Sequence, residues 1–237
     1  MTEPVVESIT ESTSVAGTPT VVTMPATRPD DDYYLMILAR DDDDYLASIQ
    51  DPAGWTRIDA SLLGTDTIAY WWTIGSSLAP TVDIDITIAA AEQARMVVVR
   101  ISGIDTTDPM GAIGTKTTGS STTATAAAIT AETADSLILR IYACTSSYFS
   151  SFASGTEVAR LTSGTGGGIC AYAVSSESSP GASTTTGSNT ATVNDSGQSW
   201  YGNTIEILAA ASGSTISDVN FSGTNRGVGR GIMRGVG

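Results

Sequence analysis

Chemistry in this chain has to be sought without histidine. None of the 237 residues is histidine, which removes the usual general base, the Ser-His and Cys-His nucleophile pairs and the commonest transition-metal ligand. Carboxylates are then the main reactive inventory, 25 Asp plus Glu against 11 Lys plus Arg. Two carboxylates facing each other across a cleft would suffice for glycoside hydrolysis, and Asp83, Asp85, Glu157 and Glu206 stand on strand-like segments. Such a carboxylate ordinarily marks a strand's solvated face, so no catalytic residue is assigned and the chain reads as non-enzymatic. The aspartates at 41–44, with three more at 30–32, offer the oxygen ligands a hard cation prefers, but without the ligand spacing and turn glycine of a calcium loop. They read as a charged, solvated loop, and no metal or cofactor is expected. The run GTGGG at 164–168 lacks the lysine and following helix of a phosphate cradle and reads as a turn. Cys144 and Cys170 lie in apolar segments without CxxC spacing, which suits buried free thiols, with a disulfide as the alternative.

The elements that must position these groups are strands. The composition is 41% hydrophobic and 15% charged, rich in Gly, Ser, Thr and Ala, and short apolar segments alternate with turn-rich ones with no sustained helical period. They are YYLMILA (33–39), TIAYWWTIG (67–75), TVDIDITIA (81–89) and RMVVVRISGI (95–104). A second set follows: TATAAAIT (123–130), SLILRIYAC (136–144), EVARLT (157–162), GICAYAVSS (168–176), NTATVND (189–195) and SWYGNTIEILAA (199–210). TVDIDITIA alternates strictly, as a half-buried strand does, whereas YYLMILA and RMVVVRI are continuously apolar, as strands buried on both faces are. The predicted core includes Leu35, Ile37, Ile84, Ile86, Val97, Val99, Leu137, Leu139, Ile205 and Ile207. The second set follows the order of the first, with AYWWTIGSS (69–77) matching AYAVSSESS (171–179). This predicts an all-β fold: an antiparallel, jelly-roll-like β-sandwich of about eight to eleven strands built on an internal duplication, with two separate small sandwiches as the rival. Three regions result: an acidic N-terminal arm at 1–18, the sandwich domain at 19–210, and a Gly/Arg-rich C-terminal arm at 211–237.

Charge divides along the same boundaries. The net formal charge is −14, but residues 211–237 carry +2, three arginines less Asp218, which leaves −16 on residues 1–210. An acidic body repels phosphate backbones and anionic membranes, so neither nucleic acid nor membrane is an expected partner. The closing stretch NRGVGRGIMRGVG reads as a docking arm for a neighbouring subunit, with Arg226, Arg230, Ile232, Met233 and Arg234 as partner-binding residues. Adjacent Trp71 and Trp72 must point to opposite faces of a regular strand. The outward one would stack on a sugar or enter a neighbour unless both are taken up between sheets. Trp55 is expected to plug one end of the sandwich and Trp200 the last strands. The start MTEPVVESITESTS carries acids where a secretory leader has bases, and no apolar run reaches the roughly 20 residues that cross a bilayer. The expectation is a protein kept in the cytosol unless an assembly carries it out.

Several phrases together resemble a known family: DDDYYLMILARDDDD, DPAGWTRI, AYWWTI, and an apolar strand closing on RISGIDTTDPM. Over roughly residues 19–210 the chain resembles the β-sandwich, jelly-roll-like virion proteins of tailed bacteriophages, found as capsid decoration proteins and in tails and fibres. The resemblance implies a non-enzymatic virion structural protein, assembled in the host cytoplasm. Its partners would be other virion proteins, the major capsid protein or tail proteins, and it would be a homo-oligomer. A capsid decoration or cement role is favoured. The alternative is a tail or fibre component, including a carbohydrate-binding receptor module whose partner is a host glycan.

Overall fold

The structure, a computed structural model, describes residues 3–15, 19–41, 49, 51–64, 66–75, 78–87, 93–161 and 170–211. Those residues form sixteen strands and no helix. The first half contains β1 (Val5–Val15), β2 (Pro19–Thr23), β3 (Tyr33–Asp41), β4 (Thr56–Leu63), β5 (Asp66–Ile74), β6 (Thr81–Thr87) and β7 (Gln93–Ser102). The second contains β8 (Met110–Ile113), β9 (Thr117–Ser120), β10 (Thr123–Ala126), β11 (Leu137–Thr145), β12 (Phe149–Phe152), β13 (Thr156–Arg160), β14 (Cys170–Ser178), β15 (Asn189–Val193) and β16 (Ser199–Ile207). The chain is an all-β antiparallel sandwich. One central sheet runs β1-β7-β3-β5-β4 and the other β13-β14-β11-β16-β8, with β9 also paired to β16. Two smaller sheets, β2-β6 and β10-β15-β12, complete the set.

Period-two burial explains why β3 from Tyr33 to Ala39 is apolar throughout and why β11 is apolar but for buried Arg140, which pairs with Glu177, and the closing Thr145. In β3, Tyr33, Leu35, Ile37 and Ala39 enter the core between the two central sheets, while Tyr34, Met36 and Leu38 enter a second core on the outer face with Val22 and Val82 from the β2-β6 pair. In β11, Leu137, Leu139, Ile141 and Ala143 face the central core, and Tyr142 and Cys144 face an outer core with Ala124, Phe149 and Val193 of the three-stranded sheet. Each strand is therefore covered on both faces, at roughly 1.5–3 kcal/mol per large side chain removed from water. Of the predicted core, Leu35, Ile37, Val97, Val99, Leu137, Leu139, Ile205 and Ile207 all lie in the central cluster. Ile84 and Ile86 lie in β6, on a stretch whose side chains are not among those described.

The two halves trace the same path. Replacing β1, β7, β3, β5 and β4 by β9, β16, β11, β14 and β13 converts one central sheet order into the other, and β2-β6 maps onto β10-β15. Register agrees: Ile37 pairs with Tyr70 and Val97, Ala143 with Tyr172 and Tyr201, and all six side chains belong to the central core. Both halves contribute to that core.

The N-terminal stretch differs from the arm expected at 1–18. Val5–Val15 is an edge strand, paired with β7 from Val5 opposite Ser102 to Val15 opposite Gln93, with a bulge between Val6 and Ser8. An acidic, aromatic-poor segment needs no core of its own when it extends an existing sheet through backbone hydrogen bonds. Val6 packs against the central core, whereas Val5 and Ile9 are exposed.

Candidate functional site

The richest polar constellation is a seam between the central sheets. β5 brings Tyr70 and β16 brings Tyr201 and Asn203 inward. β4 adds Asp59 and Ser61, and the loop between β8 and β9 adds Lys116, the chain's one lysine. Asn203 Nδ2 donates to the Tyr70 hydroxyl at 2.5 Å and Tyr201 donates to Asp59 Oδ2 at 2.8 Å. The 2.8 Å contact between the two phenols is therefore donated by Tyr70. Ser61 also donates to Asp59 Oδ2, at 2.9 Å, and Lys116 Nζ donates to Ser61 Oγ at 3.0 Å and lies 3.9 Å from Asp59 Oδ1. The chain of donors thus ends on one carboxylate near the surface. Burial, the largest cause, pushes the Tyr201 and Tyr70 phenols well above their ordinary range, and nearby Asp59 adds to it. Both phenols remain neutral donors at neutral pH, suited to holding two sheets in register rather than to accepting a proton.

Glu206, one of the four carboxylates considered for glycoside hydrolysis, is fully buried on the outer face of β16. Its Oε1 accepts from Glu132 N at 3.0 Å, Thr133 N at 3.2 Å and Ser136 Oγ at 2.5 Å. Its Oε2 accepts from Ala112 N at 3.1 Å and Glu132 N at 2.9 Å. A carboxylate so surrounded clamps β8 and the loop before β11 onto the sheet and presents no oxygen to a substrate. Glu157 is exposed on edge strand β13 and pairs with Arg160 at 3.1 Å. Asp83 and Asp85 lie in β6, where side chains are not described. The sheet does not bring Glu157 and Glu206 together: Glu157 stands opposite Ser175 in β14, and Glu206 opposite Ile138 in β11.

Other sequence candidates resolve locally. Asp32 is buried and accepts from Arg100 Nε at 2.5 Å. Asp41 ends β3 opposite Asp66, residues 42–44 and the glycine run at 164–168 lie outside the described residues, and among the described residues no acidic, His or Cys cluster is arranged to hold a metal. Cys144 and Cys170 are both free and buried, on opposite faces of the second central sheet. Burial pushes the Cys144 thiol up to about 12 and that of Cys170 well above its ordinary value. Trp71 is buried in the outer core with Nε1 donating to Asp51 Oδ1 at 2.7 Å, and Trp72 stacks on Tyr33 at 5.7 Å between centroids. Trp55 joins Trp71 beneath the turn at Gly54, and Trp200 donates to Ser121 Oγ at 3.0 Å. Among the described residues no aromatic side chain is exposed.

What the surface offers is clefts and edges. An open cleft of about 550 Å³ is lined by Pro52, Gly54, Trp55, Thr73, Leu78 and Val82. A second, of about 470 Å³, lies among Asp31, Gly103, Asp105, Thr107, Ala210 and Ala211. Asp105 there already accepts from the Thr107 and Asp108 amides. The five partner-binding candidates, Arg226, Arg230, Ile232, Met233 and Arg234, lie outside the described residues. The sequence carries no signal for the seam, because Asp59, Lys116 and Tyr201 are far apart along the chain and only the packing of one central sheet on the other joins them. Edge strand β1 did leave a signal, the period-two order Glu3, Val5, Glu7, Ile9, Glu11. No protein-family model matches the chain, and no match is found among curated proteins or solved structures.

Proposed function

We propose that the protein is a non-enzymatic structural subunit of a tailed-bacteriophage virion, attached as a decoration or cement protein to the capsid and held by its C-terminal arm. The observation that carries this reading is the division of charge, −16 on residues 1–210 against +2 on residues 211–237. A body and an arm of opposite sign attract different surfaces, which suits a subunit that docks by one segment. The buried ionisable groups support it, since Glu206, Asp32 and the phenols of the seam are engaged with other protein groups. The carbohydrate-binding tail or fibre alternative would draw on exposed aromatic rings, and the described tryptophans are taken up between layers. Deleting residues 221–237 should abolish or strongly reduce incorporation into particles, and high salt should mimic part of that loss. Normal incorporation at wild-type copy number would overturn the docking arm, and specific binding on a glycan array would favour the receptor module.

A further inference from the structure

Edge strand β1 is the surface least explained by the fold itself. It runs for 11 residues, and among the described residues no strand pairs with its outer edge. The second half supplies an internal comparison: Val6 pairs with Ile101 of β7 as Ile113 pairs with Ile205 of β16, and Glu11 pairs with Val97 as Thr118 pairs with Tyr201. The equivalent edge there is broken into β8 and β9, four residues each. Short edge strands are a standard protection against unwanted pairing, and β1 lacks it. Instead it shows alternating exposure, with Val5 (51%), Glu7, Ile9 (40%) and Glu11 reaching solvent and Ser8 and Thr10 half-buried between them. Glu7 Oε1 accepts from Ser102 Oγ at 2.6 Å and Glu11 Oε1 from the Tyr172 hydroxyl at 2.7 Å, which leaves the second oxygen of each carboxylate for an incoming arginine.

The chain contains a matching sequence. Glu3, Val5, Glu7, Ile9 and Glu11 follow one another at every second position, and so do Arg226, Val228, Arg230, Ile232 and Arg234. We propose that residues 226–234 of one copy add as an antiparallel strand to β1 of a second copy, setting each arginine against a glutamate and each apolar residue against another. Cross-strand pairs of opposite charge and apolar pairs are the units that stabilise such an addition, while the backbone ladder supplies most of the affinity. The bulge between Val6 and Ser8 divides the match into two short runs on opposite faces of the sheet, since Val5 pairs with Ser102 whereas Ile9 and Glu11 pair with Val99 and Val97 of the central core. The glycines at 227, 229 and 231 allow the incoming backbone to follow that step. Self-pairing of β1 about Ile9 is disfavoured, since it sets Glu7 against Glu11.

Geometry favours a second copy over the chain's own segment. Ala210 N donates to Gly103 O at 2.9 Å, and Ser102 is the register partner of Val5, so the described chain ends beside the Val5 end of β1. To meet β1 antiparallel, as every strand pairing among the described residues is, its own segment would need residues 212–225 to run back along the whole 11-residue strand, whereas a second copy needs no such span.

This inference rests on the docking-arm reading and is tested in the full-length protein. Ile9→Cys and Val228→Cys, made in separate chains and mixed under mild oxidation, should give a disulfide-linked heterodimer, since both native cysteines are buried. Sedimentation should show salt-sensitive self-association that is lost in Glu7→Arg/Glu11→Arg and in Arg226→Glu/Arg230→Glu, and regained when these two proteins are mixed. No heterodimer and no rescue on mixing would overturn the proposal, as would a double-cysteine chain that closes only on itself. If both fail while the arginine variant is still excluded from particles, the arm docks on another protein and only this inference falls. If the heterodimer forms but the arginine variant enters particles at normal copy number, the docking function falls and the pairing stands.

Discussion

Glu206→Gln should destabilise the protein out of proportion to the change of one atom. The carboxylate takes four donors on two oxygens, Glu132 N reaching both. A glutamine keeps the shape and replaces one oxygen by an NH2. With the amide nitrogen at the Oε2 position, Ala112 N faces a donor. With it at the Oε1 position, Thr133 N does, although Ser136 can rotate to accept. Either way one buried amide loses this acceptor, at about 1–3 kcal/mol, and the surviving bonds lose charge assistance worth roughly half a kcal/mol or more each. The sum is about 2–4 kcal/mol, a large part of the roughly 5–15 kcal/mol that holds a domain folded. At about 2–4 °C per kcal/mol for a chain of this size, the melting temperature should fall by roughly 5–15 °C. Urea denaturation should show the loss, and hydrogen exchange should quicken first at residues 132 and 133. Glu157→Gln, which alters an exposed pair, should stay within about 0.5 kcal/mol of wild type. A Glu206→Gln protein as stable as wild type, or no worse than Glu157→Gln, would refute the clamp.

Leu139→Ala, in the fully buried central core, should cost about 2–5 kcal/mol in denaturant melts, whereas Leu62→Ala, 44% exposed on β4, should cost less than about 1. Gly202→Ala should destabilise by about 1–3 kcal/mol or more, because its Cβ would fall inside contact distance of the Thr125 carbonyl oxygen and backbone must move; calorimetry reads it directly. Stability should be level through neutral pH and decline as pH rises past about 9, where the unfolded chain ionises Cys144 while the folded thiol resists to about 12; the buried phenols extend the loss higher. Titration of unfolding free energy against pH checks this, and a native protein that reacts promptly with a thiol reagent would contradict the burial of both cysteines.

Most of the sandwich was legible because strands buried on both faces announce themselves. YYLMILA, RMVVVRI and SLILRIYAC are β3, β7 and β11, and β3 and β11 are each the middle strand of a central sheet. The paired AYWWTI and AYAVSS marked β5 and β14, the strands that neighbour them in equivalent places. Less legible were β1, β8, β9 and β12, polar or short strands that exist only by pairing with something already folded. Acidity hid β1 in particular, since Glu3, Glu7 and Glu11 read as a solvated arm even though their spacing is that of a strand. Glu206 illustrates the limit for the site: its sequence context identifies a carboxylate on a strand, but only the path of the chain brings three amides and a hydroxyl to it.

Two passes along the same path need not give two identical layers, and the difference follows from side-chain volume. On the outer face of the first central sheet stand Met36, Trp71, Met96 and Val98, and the cover is the β2-β6 pair with Trp55 and Ile49 filling beside it. On the equivalent face of the second, Tyr142 and Trp200 stand in the places of Met36 and Met96, but Ala173 and Gly202 stand in those of Trp71 and Val98, and the cover is the three-stranded β10-β15-β12 sheet. Small residues let backbone approach backbone: Gly202 has no room for a Cβ because β10 lies directly on it. At the places of Ala173 and Gly202 the first sheet has Trp71 and Val98, which fill that gap themselves, so two strands and a tryptophan-bearing turn serve on one side and a third strand is added on the other. Close packing requires each interior volume to be filled once. A duplicated topology therefore diverges first where one copy trades side-chain bulk for an extra strand, and the middle rows, Tyr70–Ile37–Val97 and Tyr172–Ala143–Tyr201, keep their places because both sheets share the core between them.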